Sequence, residues 1–229
     1  MNIDSISTLT NRLIETVKTF DISLAGIAPI DQLKNTPSWE TTGEKAGFPQ
    51  GAKSALVLGL TREGDLDDWW HLGPNGKNGH RHFVEITEQL KPVIETTFGI
   101  SAYIIPYHVS GGGVYLKDAA VLAGLGVIGK NNLLVTPHFG PRVRLRAMLL
   151  GRELAPTGPI DFNPCQECSM PCRRVCPSKA FSTGSYVRQP CFDHNVMLRE
   201  RRPMTGIANP PKWLGEHCRI CELACPVGK

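Results

Sequence analysis

All eight cysteines of this 229-residue chain fall between Cys165 and Cys225. They read Cys165-x2-Cys168-x3-Cys172-x3-Cys176-Pro177, a lone Cys191, and Cys218-x2-Cys221-x3-Cys225-Pro226. No other feature constrains the chain as strongly. Thiols so spaced are cluster or metal ligands in a reducing compartment and disulfide partners only in an oxidising one. The start, Met1-Asn-Ile-Asp-Ser5, lacks the basic-then-apolar layout of a signal peptide. No run reaches the roughly 18 apolar residues of a membrane span. A cytoplasmic protein with free thiols and no membrane contact is expected. Eight thiolates match two four-cysteine clusters, and Cys-Pro closing both runs is characteristic of iron–sulfur ligation.

The spacing also proposes which thiol serves which cluster. In two-cluster ferredoxins the fourth cysteine of a run ligates the other cluster. The gap before Cys225-Pro226 marks Cys225 as such a crossing ligand, giving one set of Cys165, Cys168, Cys172 and Cys225. Cys218 and Cys221 then require two partners, and Cys176 and Cys191 remain. Zinc also takes four-cysteine groups, but the Cys-Pro endings and interlocked spacing favour two [4Fe-4S] clusters. His194 and His217 lie near these ligands and read as surrounding residues, because the cysteines already close both sets.

Charge is unevenly placed. From Cys165 onward there are ten Lys/Arg against five Asp/Glu, whereas the preceding part has fifteen against sixteen. Compensation of anionic thiolate clusters accounts for the excess better than a nucleic-acid face does.

The part before the cysteines alternates apolar strand-like runs with helical periodicity. Ile6, Leu9, Leu13, Ile14 and Val17 predict a helix, as do Phe83, Ile86, Leu90, Val93 and Ile94. Ile22–Pro29, Ser54–Leu60, Ala102–Tyr107, Asn132–Thr136 and Val143–Leu150 predict strands, with a further helix over Leu116–Leu125. Gly73–Gly79 reads as a loop, and the three prolines of Arg152–Pro164 as a linker. An α/β domain over residues 1–155 followed by a cysteine-rich module over 156–229 is expected.

Gly124-Leu-Gly126-Val-Ile-Gly129-Lys130 matches the dinucleotide fingerprint as a string, but that fingerprint follows a strand and opens a helix. Here helical sequence precedes it and strand-like sequence follows. A close backbone approach or a tight turn explains the glycines better. Ser110-Gly-Gly-Gly113 is a second flexible turn, with Tyr107, His108, Tyr115, Lys117 and Asp118 as the nearby ionisable residues.

Several segments together resemble epoxyqueuosine reductase, a cobalamin-dependent iron–sulfur relative of the reductive dehalogenases. They are Ile22–Pro29 with Asp31, Val114–Asn131, Leu133–Pro137, and the cysteine pattern with its isolated Cys191. The resemblance implies a nitroreductase-like corrinoid-binding domain joined to a ferredoxin-like double-cluster domain. Electrons would pass from an external low-potential donor through the clusters to a bound corrinoid. The corrinoid would lie against Tyr107, Gly111, Gly112, Gly126, Ile128, Gly129, Lys130 and Asn131, with His82 facing the same pocket. The family's catalytic aspartate falls on Ser110, and a hydroxyl is a far poorer acid than a carboxyl. Tyr107 or Tyr115 is then the candidate proton donor, while Asp118, eight residues on, is not assumed to take the aspartate's place. The helical repeats that help many members hold tRNA are not expected here, which weakens tRNA as a partner. Three functions follow from the likeness: a corrinoid-dependent reductase of a small molecule or nucleoside, a non-catalytic electron carrier, or a reductive activator of another corrinoid protein.

Overall fold

The computed structural model describes residues 3–42, 47–61, 79–201 and 218–229. Most of the expected glycine-rich loop (residues 73–78) and His217 lie outside the described residues. The described chain divides into two compact units. The first draws on Met1–Thr61, Phe83–Ile128 and Val143–Phe162, and the second on Arg62–His82, Gly129–Arg142 and Asn163–Lys229.

The first unit opens with α1 (Ile3–Lys18), whose Leu13 and Val17 are fully buried. Strand β1 (Leu24–Pro29) follows, then the short helices α2 (Ile30–Leu33) and α3 (Pro37–Thr42), and strand β2 (Ser54–Leu60). Helix α4 (Gly79–Phe98) leads to β3 (Ala102–Ile104), and α5 (Leu116–Leu122) to the two-residue strand β4 (Val127–Ile128). After β5 (Leu134–Val135), β6 (Arg144–Leu150) completes the main sheet. That sheet has the order β1-β2-β6-β3 and is antiparallel at every pairing.

The sheet forms because β2 is buried along all seven residues and pairs Leu56 with Met148 and Val57 with Ala147. Each fully buried Leu there contributes about 1.5–3 kcal/mol relative to exposure. Strand β3 is shorter than its apolar run predicts. It ends at Ile104, two residues before Pro106, which has no N–H to offer a ladder. The stretch expected as a linker has no helix or strand, yet Thr157 ties it into the first unit. Its Oγ1 donates to Ala123 O at 2.7 Å and accepts from Ile27 N at 2.8 Å.

The second unit holds β5, α6 (Pro171–Arg174), α7 (Arg188–Arg201) and α8 (Ile220–Leu223). Helices α6 and α8, each beside ligand candidates, pack together. Segment 129–142 is anchored to the C-terminal residues, since the Arg142 guanidinium donates to Cys225 O and Val227 O. Among the described residues no helix is long and apolar enough to cross a membrane.

Candidate redox site

All eight cysteines are free thiols. Cys172 and Cys225 are buried and the other six are half-buried. Burial pushes the Cys172 thiol up, and the neighbours whose charge pushes it further are Cys225, Cys165 and Cys168. Burial likewise pushes Cys221 up to about 12, with Cys218, Cys191 and Cys176 as the nearest charges and Cys172 behind them. Cys218 is raised by burial and then by Cys191 and Cys176, against a backbone N–H at Ile220 that lowers it. Cys172 thus senses Cys165, Cys168 and Cys225, while Cys221 senses Cys218, Cys191, Cys176 and Cys172. Crowded thiols repel one another once ionised, so such groups carry thiolate only beside compensating cations. Among the described residues, no group of three or more His, Cys, Asp or Glu is arranged to hold a metal ion.

Donors are aimed at the sulfurs. Lys130 N donates to Cys165 Sγ at 3.5 Å and Met170 N to Cys168 Sγ at 3.4 Å. Hydrogen bonds to sulfur are one lever by which a protein sets a cluster's potential. Cys191, alone in the sequence, lies on α7. One turn later, Asn195 Nδ2 donates to Cys191 O at 2.8 Å and reaches Cys191 Sγ at 3.7 Å. Asn195 Oδ1 accepts from Cys218 N at 2.8 Å, so a single amide ties the two segments together. Tyr186 also hydrogen-bonds Cys191, and its phenol is raised chiefly by burial. Neither Asn195 nor Tyr186 was read from the sequence, although the i,i+4 spacing of Cys191 and Asn195 is the signal that a helix there would have exposed.

Gly129, Lys130 and Asn131, expected at the corrinoid, lie in the second unit beside Cys165. A Cβ on Gly129 would come within 2.6 Å of Val135 Cγ2 and 2.9 Å of Asn131 Oδ1, so contacts within the chain already require that glycine. Asn131 is buried, and its Nδ2 has no hydrogen-bond partner. His82 is half-buried near the start of α4, in the second unit.

The remaining expected residues belong to the first unit. Tyr107 is 44% exposed and edge-on to His108. Ser110 is exposed on the single 3-10 turn Val109–Gly111, with Gly111 closing the turn and Gly112 left-handed at φ 100°. Tyr115 is half-buried, its ring edge-on to Trp39 at 6.5 Å. Asp118 is buried, and its Oδ2 accepts from Ser38 N at 3.1 Å, so it serves the N-terminus of α3. Gly126 is buried and Ile128 exposed, on either side of Val127.

Arg146 was missed. It lies on β6 with its guanidinium buried, and Nη2 donates to Ile105 O at 2.8 Å. Its Nε and Nη1 have no partner. Burial lowers it from the ordinary guanidinium value, the Tyr107 side chain acting in the opposite sense. A charge so placed costs stability, and the signal for it was a second arginine, after Arg144, inside a strand whose remaining residues are apolar. Arg146→Met is expected to leave thermal stability unchanged or raise it by about 1–2 kcal/mol. A loss of that size in a melting experiment would instead make Arg146 a structural strut.

The class these features define is a mixed α/β protein with eight cysteines between Cys165 and Cys225. No protein-family model matches the chain. It is 34% identical over 115 residues to a tetrachloroethene reductive dehalogenase of Sulfurospirillum multivorans, covering 48% of this chain and 23% of that one. It is 32% identical over 117 residues to epoxyqueuosine reductase of Lactococcus garvieae, covering 50% of this chain and 32% of that one. The matches therefore span about a quarter to a third of those relatives' lengths. The fold matches that of epoxyqueuosine reductase solved with an epoxyqueuosine-modified tRNA stem loop, at TM-score 0.68 and 21% identity over 99% of this chain and 66% of that one. Solved reductive dehalogenases, one described in connection with B12-dependent dehalogenation, share the fold as well. The resemblance to epoxyqueuosine reductase and the reductive dehalogenases holds in both sequence and fold, and these relatives are reductases.

Proposed function

We propose that the chain is an iron–sulfur reductase of the epoxyqueuosine reductase type, in which two [4Fe-4S] clusters pass electrons towards a bound corrinoid. Cys165, Cys168, Cys172 and Cys225 would hold one cluster, and Cys176, Cys191, Cys218 and Cys221 the other. The observation carrying this reading is the Lys130 N–H donated to Cys165 Sγ at 3.5 Å within the eight-cysteine pattern. The first set thereby touches segment 129–131, the stretch assigned to the corrinoid. The donor chemistry fits the clusters, since soft thiolates meet backbone and amide N–H groups there. Once bound, the clusters supply one-electron transfer and the corrinoid a low-potential metal centre.

The chain's own residues would handle the proton. Tyr107 is the exposed phenol just before the turn, and the Tyr107 side chain acts electrostatically on the buried Arg146 guanidinium. Ser110 offers only a hydroxyl, and Asp118 is engaged at α3. Those last two observations favour a second reading, a reductive activator or carrier that donates electrons and no proton.

Anaerobic titration of the cluster-loaded protein with cobalamin tests the corrinoid. Perturbed optical and paramagnetic spectra of Co(II) are expected. Unchanged Co(II) spectra would remove the reductase reading and leave an electron carrier. If cobalamin binds, Ser110→Asp is expected to gain epoxyqueuosine reduction, and no gain would point to another substrate.

A further inference from the structure

The second unit exposes apolar side chains around one cysteine set. Val175 is 43% exposed, Phe192 45%, Ile220 43% and Leu223 48%. Val175 precedes Cys176, Phe192 follows Cys191, and Ile220 precedes Cys221, so three of the four flank the set of Cys176, Cys191, Cys218 and Cys221. Val175 caps α6 and Ile220 opens α8, and those helices pack on each other. Exposed branched and aromatic residues grouped on one small module mark an interaction surface rather than scatter.

The surrounding charge is mainly positive, although exposed Asp193, which accepts from Gln189 Nε2 at 2.7 Å, follows Phe192. Arg188 lies over the Phe192 ring at 5.5 Å, and exposed Lys179 follows Cys176, donating its backbone N–H to Cys176 O at 3.2 Å. The nearest acid on α8, Glu222, is buried and paired with Arg219 at 2.9 Å, so it does not offset this charge at the surface. The other cysteine set is the one that touches segment 129–131. An electron arriving from outside therefore has its entry at the set with the apolar, cationic surround.

We propose that Val175, Phe192, Ile220 and Leu223, with Lys179 and Arg188 beside them, form the docking face for a small acidic one-electron carrier protein. On each encounter the reduced carrier loses one electron and the adjacent cluster gains it, with no bond made or broken. The proposal rests on the two-cluster reading. An apolar centre supplies contact, and the cations steer an acidic partner and set its orientation.

Stopped-flow reduction of the fully loaded protein by a photoreduced acidic flavodoxin tests the face. Its second-order rate is expected to fall roughly tenfold between about 50 and 300 mM salt. Leu223→Glu and Lys179→Glu, introduced separately, should each slow it about tenfold or more, while reduction by dithionite keeps the parent rate. Cluster absorbance and iron content of each variant show that the fold is intact. Parent-like rates with flavodoxin in both variants would overturn the proposal. So would a parent protein that sediments as a dimer and becomes a monomer in Leu223→Glu, because the face would then belong to a second copy. A parent lacking iron–sulfur absorbance would overturn the cluster reading itself, a failure seen before any carrier is added.

Discussion

Cys191→Ala is expected to lose or convert one cluster and leave the other intact, cutting iron from about eight atoms per chain towards about four. The size of the effect follows from the chain's thiol count. With eight cysteines and two four-thiolate sets, no spare sulfur exists to replace a lost ligand. Cys191 is also the proposed ligand without a run of its own, held on α7 by Asn195 and Tyr186. Cys172→Ala should produce the reciprocal loss at the other set. Iron analysis with low-temperature paramagnetic spectra of the reduced variants distinguishes the two. If both clusters survive Cys191→Ala with unaltered spectra, the assignment of ligands is wrong.

The second large effect is on folding. Gly124 has φ 71°, and a Cβ there would come within 2.6 Å of Thr157 O and 3.0 Å of Gly158 Cα. Gly124→Ala combines a left-handed backbone penalty with overpacking against main chain that cannot step aside. Together these cost on the order of 4 kcal/mol. For a chain of this length that corresponds to a drop of about 10 °C in melting temperature. Gly99 is the control, with φ 63° and nothing within 4 Å of its would-be Cβ, so Gly99→Ala should cost only about 1 kcal/mol. Equal melting temperatures for the two variants would contradict this. A glycine kept only for a ligand's approach would behave in that way, weakening binding and sparing the fold.

Gly124 also shows what the sequence could and could not convey. The string Gly124-Leu-Gly126-Val-Ile-Gly129 follows a helix, as the sequence predicts, because Leu116–Leu122 has good helix formers and no glycine or proline. The partner that makes Gly124 necessary, Thr157, lies 33 positions away in a proline-rich stretch read as a linker. Only the folded chain brings them together. Strand β2 was legible to the residue because its largely apolar run is bounded by Lys53 and Thr61 and is buried on both faces. Strand β3 was overextended because apolarity continued after pairing had ended.

The cysteines were the most legible part of the candidate site, since spacing is a local property, and their division into two sets is the proposal made above. What holds them was not. Helix α7 is polar around much of its circumference and begins with a proline at its third residue, so it gives no apolar stripe. Asn195 stayed hidden with it. Arg146 was passed over because the period of Val143–Leu150 identifies a strand whatever its charged members do. The Ser110 turn is legible as a glycine-rich turn, but a catalytic reading of it comes only through likeness to relatives, and its chemistry depends on neighbours that no short motif contains.

Two [4Fe-4S] clusters on the eight cysteines are what we propose this chain carries. Iron and acid-labile sulfide are measured on anaerobically purified or reconstituted protein, with paramagnetic spectra after reduction. About eight iron and about eight sulfide per chain, with spectra of two interacting reduced clusters, are expected. Stoichiometric zinc with no labile sulfide would contradict the claim, and with it the electron path and the carrier face.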